Sequence, residues 1–351
     1  MGRRCYESTH SMNKTLFITG STGFIGSHLV LEAVKQGYRC RCLLRETSIT
    51  DRFPAELLKS GQVELIRADL FAPPTYAQAL EGVDAVVHLA GEIHAADEKQ
   101  LFRVNADACG ILADACLATS ASPRLISVSS LAAAGPAESN HSMRTETDPP
   151  QPVSLYGKSK LQGERELMRR ADRLPITILR PGIVYGTGDR GLGELIGSIY
   201  RTRLHVTVGF RTPPLSFVHV EDFGKVIMTS IDQGETLDGR SSQGIYFVCD
   251  DREFPTYHQF GKQIAKAVGV RIIVWPIWRW VGKLSAEVIE RVNQKRGNRS
   301  LISRDKVREA VVKSWACSSQ KARDDLSFAP QRTFEQNIHR DMPWYVDNDW
   351  V

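Results

Sequence analysis

No stretch of this 351-residue sequence approaches the ~20 consecutive apolar residues of a membrane-spanning helix. The nearest candidate, IIVWPIWRWV at 272–281, is interrupted by Pro276 and Arg279 and reads as a lead-in to the core or a greasy lip over a cleft. The opening MGRRCYESTHSMNKT carries charges but no apolar centre, which argues against a secretory signal. Residues 1–13 read as a disordered extension ahead of the first strand. Cysteine is scarce and odd in number: seven, with no CxxC pair and no His cluster at zinc spacing. That pattern argues against a disulfide scaffold and a metal site, and it suits a reducing cytoplasm. Cys40 and Cys42, and Cys109 and Cys116, have the spacings of small core residues. An excess of one charge is also missing, with 45 basic against 40 acidic residues. The densest basic run, 291–299, has no interleaved aromatics and reads as a solvated loop, not a nucleic-acid footprint. Repeats and low-complexity tracts are absent.

What the sequence does have is alternation. Apolar runs at 15–20, 39–45, 63–70, 84–91, 124–130 and 175–186 read as strands. Between them lie helical patterns, such as Ile25, Leu29, Ala33 and Val34 stopped by Gly37, and a long helix over about 99–119. Strands that are apolar almost throughout, separated by helices, imply an α/β fold with a doubly wound parallel sheet covered on both faces. Beyond residue 186 the rhythm breaks, and one further strand is expected at 244–251. The reading is therefore a main domain of 14–186 and 217–250, with 187–216 and 251–351 forming a smaller, discontinuous C-terminal lobe.

The first strand ends in GSTGFIG. Gly20 allows a tight turn, Gly23 lets the backbone approach a pyrophosphate, and Gly26 lets the helix pack closely on the sheet. With Thr22, Phe24 and Ile25 they form the start of a helix whose free N–H groups and dipole suit an anion. At the end of the second strand, a carboxylate would bind the ribose 2′-hydroxyl of NAD and an arginine the 2′-phosphate of NADP. Arg45 stands there, which favours NADP over NAD, although neighbouring Glu46 argues the other way. Asp69 and Leu70, ending the third strand, are placed to meet the adenine. Leu89, Ala90 and Gly91, ending the fourth, would line the cofactor trough.

Tyr156 and Lys160 lie four apart on an expected helix and share a face. Moving a tyrosine from its ordinary pKa of ~10 toward 7 takes ~4 kcal/mol of preference for the phenolate, which a nearby ammonium can help supply. Ser130 ends the strand ISVSS, where a hydroxyl can hold a substrate oxygen; it is preferred to Ser129 because it lies nearer the sheet's carboxyl edge. Asn105 is placed to anchor a proton-relay water.

GSTGFIG, HLAG, VNADACG, SVSS, YGKSK, RPGIVYG and LSFVHVEDF, in this order and spacing, resemble the extended short-chain dehydrogenase/reductase superfamily. That group includes NAD-dependent epimerase/dehydratases, 3β-hydroxysteroid dehydrogenases and dihydroflavonol reductases. The resemblance covers about 14–250 strongly and the remainder weakly. It implies a Rossmann fold, Tyr156 as acid/base, Lys160 on the nicotinamide ribose, Ser130 as carbonyl anchor and Asn105 in the relay. It also implies that Pro181, Gly182 and Ile183 pass beside the nicotinamide, and that His219 and Asp222 tie the lobes together. Ser130 is followed by Leu131, Ala132, Ala133 and Ala134, so the acid–base pair of sugar dehydratases is missing, as are the Thr and Tyr expected in galactose-type epimerases. The expectation is an alcohol/ketone oxidoreductase acting on a hydrophobic or ring-bearing small molecule. A nucleotide-sugar epimerase and a non-catalytic cofactor-binding scaffold are the alternatives, and a homodimer is compatible with any of them.

Overall fold

The computed structural model describes residues 14–93, 97–278, 280–281 and 304–351. Residues 1–13, Arg279 and the basic run 291–299 therefore lie outside the described residues. The strands are β1 (Thr15–Thr19), β2 (Arg39–Leu44), β3 (Val63–Arg67), β4 (Ala85–His88), β5 (Arg124–Val128), β6 (Ile176–Pro181), β7 (Ile183–Tyr185), β8 (Leu204–Val208), β9 (Phe217–His219), β10 (Ile245–Val248) and β11 (Ile273–Ile277). Seven of them form one sheet in the order β10-β6-β5-β4-β1-β2-β3, every pair parallel. Strands β4, β6 and β10 are buried along their whole length, as a sheet covered on both faces requires. The order reverses between β1 and β4. That reversal opens a crevice at the carboxyl ends of the strands, where such sheets bind ligands.

The helices that matter are α1 (Phe24–Lys35), α2 (Ala108–Leu117), α3 (Leu131–Ala134), α4 (Leu155–Met168), α5 (Arg190–Thr202), α6 (Val220–Gln233), α7 (Tyr257–Ala267) and α8 (Phe334–Asp347). One core lies on the α1/α6 side of the sheet, with Leu29, Val30 and Phe223 against Ile18 and Val87. A second, on the α2/α4 side, joins Leu112, Cys116 and Leu167 to Phe17, Val86 and Ile178. A third gathers Ile196, Phe260, Phe334 and Tyr345 beneath Phe217 and Phe247. Cys40 and Cys42 share the first core and Cys109 and Cys116 the second, as their spacing implies.

Beyond residue 186, where one strand is expected from the sequence, β8, β9 and β11 stand besides β10, because short runs broken by polar residues or proline carry little strand pattern. Three further details differ. The apolar run 175–186 is two strands, broken at Gly182, where an added Cβ would sit 2.5 Å from the Ser216 carbonyl oxygen. Strand β9 pairs with β7 outside the main sheet, so of 217–250 only β10 joins the seven strands. The long helix is interrupted as well: Glu98–Phe102 is α-helical, Arg103–Asp107 makes a π-turn, and α2 follows. The tryptophans at 275, 278 and 280 are not core residues, being 59%, 61% and 64% exposed.

Candidate active site

The chain leaves β1 through Gly20, whose φ of +70° favours glycine. An added Cβ there would lie 2.7 Å from the Ala90 nitrogen, so β1 and the end of β4 close on each other across the crevice. Gly26 is held still more tightly, because its Cβ would fall 2.2 Å from the Gly20 oxygen. Helix α1 begins directly after Gly23 with no side-chain cap and no acidic residue in its first turn. Its first N–H groups are thus left for an anion. Thr22, Phe24 and Ile25 are partly exposed around this turn, and Leu89 and Ala90 partly exposed opposite it. These residues fit the pyrophosphate of a dinucleotide: the glycines leave a bare backbone cradle, and the helix end supplies donors.

Arg45 follows β2 and is exposed. Its backbone N–H donates to Ser48 Oγ at 3.1 Å, and Arg67 braces the same turn by donating to the Arg45 and Glu46 carbonyls at 3.2 and 2.9 Å. Among the described residues, no ion pair holds the Arg45 guanidinium. Asp69 is exposed past β3, where its carboxylate accepts from the Phe71 N–H, and Leu70 is half-buried beside it.

Helix α4 is started by Ser154, whose hydroxyl accepts from the Gly157 N–H at 3.0 Å. The helix turns Tyr156 and Lys160 toward the carboxyl ends of β4 and β5. Lys160 Nζ donates to the Val128 carbonyl at 3.0 Å. A Cβ on Gly91 would lie 3.1 Å from that Nζ and 3.2 Å from Asn105 Oδ1, so these three residues meet at one point. Asn105 is buried and fully engaged: Nδ2 donates to the Glu92 carbonyl and to Ser159 Oγ, and Oδ1 accepts from the Glu92 N–H. The π-turn carries it; such turns frequently mark functional positions.

Burial pushes the Tyr156 phenol up to about 12; the Ser130 hydroxyl bonded to it acts the other way, and the Glu309 carboxylate adds to the rise. Ser130 caps the short helix α3 by accepting from the Ala132 N–H at 3.1 Å. Burial lowers Lys160 from its ordinary value, opposed by Cys109 and Glu164. Ser129 points the opposite way, into the protein, and donates to Glu164. Pro181 is buried, Gly182 half-buried and Ile183 46% exposed, bringing a stretch of β6–β7 to the same edge.

Several neighbours were not singled out from the sequence. His88, inside the HLAG run, pairs its Nδ1 with Thr19 Oγ1 at 2.7 Å, and burial together with Lys160 pushes it down to about 3, so it is neutral. Asp305 caps the start of α4 from far along the chain, accepting from the Leu155 N–H at 2.7 Å. No local signal announces such a contact. His219 does join distant elements, with Nε2 3.0 Å from Asp341 Oδ2 on α8, whereas Asp222 pairs with Lys225 on its own helix.

A parallel sheet whose order reverses beside a glycine turn of this shape defines a Rossmann-type α/β fold, with its crevice at the carboxyl ends of the strands. The chain belongs to the NAD dependent epimerase/dehydratase family, whose sequence pattern matches residues 16–245. A ceramide reductase of Caulobacter vibrioides is 34% identical over 205 residues, which is 58% of this chain and 57% of that protein. The match thus spans little more than half the length of that relative. A 3 beta-hydroxysteroid dehydrogenase/Delta 5→4-isomerase of Mycobacterium tuberculosis is 25% identical over 94% of this chain and 90% of its own. Among solved structures, the dTDP-glucose 4,6-dehydratase of Bacillus anthracis in complex with NAD superposes with a TM-score of 0.74 at 15% identity, over 96% of this chain and 97% of that one. No helix among the described residues is long and apolar enough to cross a membrane.

Proposed function

We propose that the protein interconverts a secondary alcohol and a ketone by hydride transfer, with NADP(H) preferred to NAD(H). The observation that carries this reading is the meeting of Ser130 with Tyr156, and of Lys160 with Asn105 and Gly91, at the carboxyl edge of the sheet. A bound nicotinamide supplies or accepts the hydride. Tyr156 Oη gives the proton to the developing alkoxide, or takes it in reverse, and Ser130 Oγ holds the same substrate oxygen. In the protein alone burial holds the Tyr156 phenol up at about 12, so the lowering expected from the sequence requires bound cofactor: the Lys160 ammonium binds the cofactor ribose and, together with the positive nicotinamide ring, favours the phenolate. Asn105, rigid on its π-turn, keeps the relay beside Lys160 in place. Arg45, without a carboxylate partner among the described residues, supports a 2′-phosphate partner.

Residues 187–216 and 251–351 act in this reading as the substrate lobe. The apolar helix α3 directly after Ser130 offers no acid–base pair for dehydration, and relatives named for a ceramide and a hydroxysteroid support a hydrophobic or ring-bearing substrate. The test is a nicotinamide-fluorescence screen of the purified chain against ketones, hydroxysteroids and UDP-sugars. The expected result is one NADPH consumed per hydrophobic ketone reduced. Interconversion of a UDP-sugar with no net cofactor use would replace this reading with an epimerase. Cofactor binding without any turnover would make the chain a scaffold.

A further inference from the structure

Strands β8 and β11 pair in parallel as a two-stranded sheet separate from the seven-stranded one. Its inner face is fixed: His205 and Thr207 are buried, and His205 Nε2 lies 3.0 Å from the Tyr257 carbonyl oxygen on α7. Its outer face is exposed among the described residues. Val206 is 45% exposed, Trp275 opposite it 59%, and Ile273 66%. At the end of the strands, Phe210 meets Trp278 edge-on with centroids 5.2 Å apart, both more than 60% exposed, and Trp280 follows. A surface of Trp275, Trp278, Phe210, Val206 and Ile273 is larger than scattered surface apolar residues explain.

The charge around this surface is one-sided, although the whole chain is nearly balanced. Among the described residues of 195–220 and 254–281 there is no Asp or Glu, against six Lys and Arg. Arg201, Arg203 and Arg271 stand where the two parallel strands begin, and Arg211 follows Phe210 at the other end. Arg203 stacks on Tyr200, and only Lys266 among the basic residues of these described stretches is tied to a carboxylate, that of Glu335. Tryptophan bodies at the boundary of apolar and wet surroundings, within a basic rim, match the chemistry of an anionic bilayer surface. A second copy suits the surface less well, because a two-fold contact would set this arginine rim against its own image.

We propose that the outer face of the β8·β11 sheet docks the protein on anionic lipid bilayers, with the tryptophans at the headgroup level and the arginines on lipid phosphates. The inference does not depend on the reaction proposed above. It is tested by vesicle flotation of the full chain, with phosphatidylcholine alone and with added phosphatidylglycerol. The chain is expected to float with the anionic vesicles and to be released by salt. Trp275→Ser/Trp278→Ser should weaken that binding on the order of tenfold or more, and Arg211→Glu/Arg271→Glu should weaken it on anionic vesicles alone. All four positions are exposed, so both variants should melt as the parent does. No flotation on either vesicle, or flotation unchanged in both variants, overturns the proposal. So does a dimer that the Trp variant dissociates while neither protein binds vesicles.

Discussion

Glu164 grips Arg180 with both carboxylate oxygens, at 2.9 and 2.6 Å, one turn beyond Lys160 on the helix that also carries Tyr156. Both side chains are almost wholly buried, and the Ser129 hydroxyl donates to the same carboxylate. The triad fastens α4 to β5 and β6, and through it the positions of Tyr156 and Lys160. Removing one partner of a buried ion pair strands the other. Glu164→Ala should therefore cost about 3–5 kcal/mol of stability in urea unfolding. A loss under about 1 kcal/mol would mean that the pair does not hold the helix.

Arg45 is predicted to set the cofactor preference. A charge-assisted phosphate contact contributes about 1.5–3 kcal/mol, so NADPH should bind on the order of tenfold or more tightly than NADH. Arg45→Asp should reverse the order. Calorimetric dissociation constants that are equal for the two cofactors, and unchanged in the variant, would remove Arg45 from that role.

Asp189 makes a prediction in pH. It caps α5, accepting from the Gly191 N–H at 2.9 Å, and burial pushes its carboxyl up to about 6 against the pull of backbone N–H groups and Arg52. Folding thus favours the neutral acid. The stability this group contributes is complete below its unfolded pKa of ~4 and is lost as the pH climbs through about 6. Asparagine caps equally well but does not titrate. Asp189→Asn should melt above the parent at neutral pH, with the gap closing toward pH ~4. A constant gap across that range would show that Asp189 titrates normally.

How much of this was legible in the sequence depends on the range of the interaction. The turn from β1 through Gly20 to α1 is local, and glycine positions plus apolar periodicity suffice to place it. Tyr156 and Lys160 are likewise fixed by helical spacing, and Ser129 and Ser130 by strand alternation. The π-turn under Asn105 was hidden, because the apolar pattern runs through it almost undisturbed. The pairing of β9 with β7 was hidden for another reason: three-residue strands carry too little pattern to choose a partner. Nothing local marks Glu164 as buried, because its partner Arg180 lies on β6, and Asp305 reaches Leu155 across 150 positions. Trp275 and its neighbours could be core or surface from composition alone, and only the burial of the opposite face of β8 decides.

Lys160 and Ser130 should separate in kinetics. Lys160→Ala is expected to weaken cofactor binding and kcat together, since the ammonium serves both ribose and phenol. Ser130→Ala should lower kcat with cofactor affinity nearly unchanged. Identical profiles for the two variants, measured by cofactor titration and steady-state turnover, would contradict the division of labour.

Tyr156 as proton donor stands or falls on hydride transfer measured in a single turnover of Tyr156→Phe. The change removes one oxygen and leaves the ring's packing intact, so the variant should melt like the parent and bind NADPH as tightly. Without a donor for the alkoxide, the transfer rate should fall by about 10²–10⁴-fold. A folded, cofactor-binding variant that transfers hydride within about threefold of the parent would contradict the account, and the proton would have to come from another group.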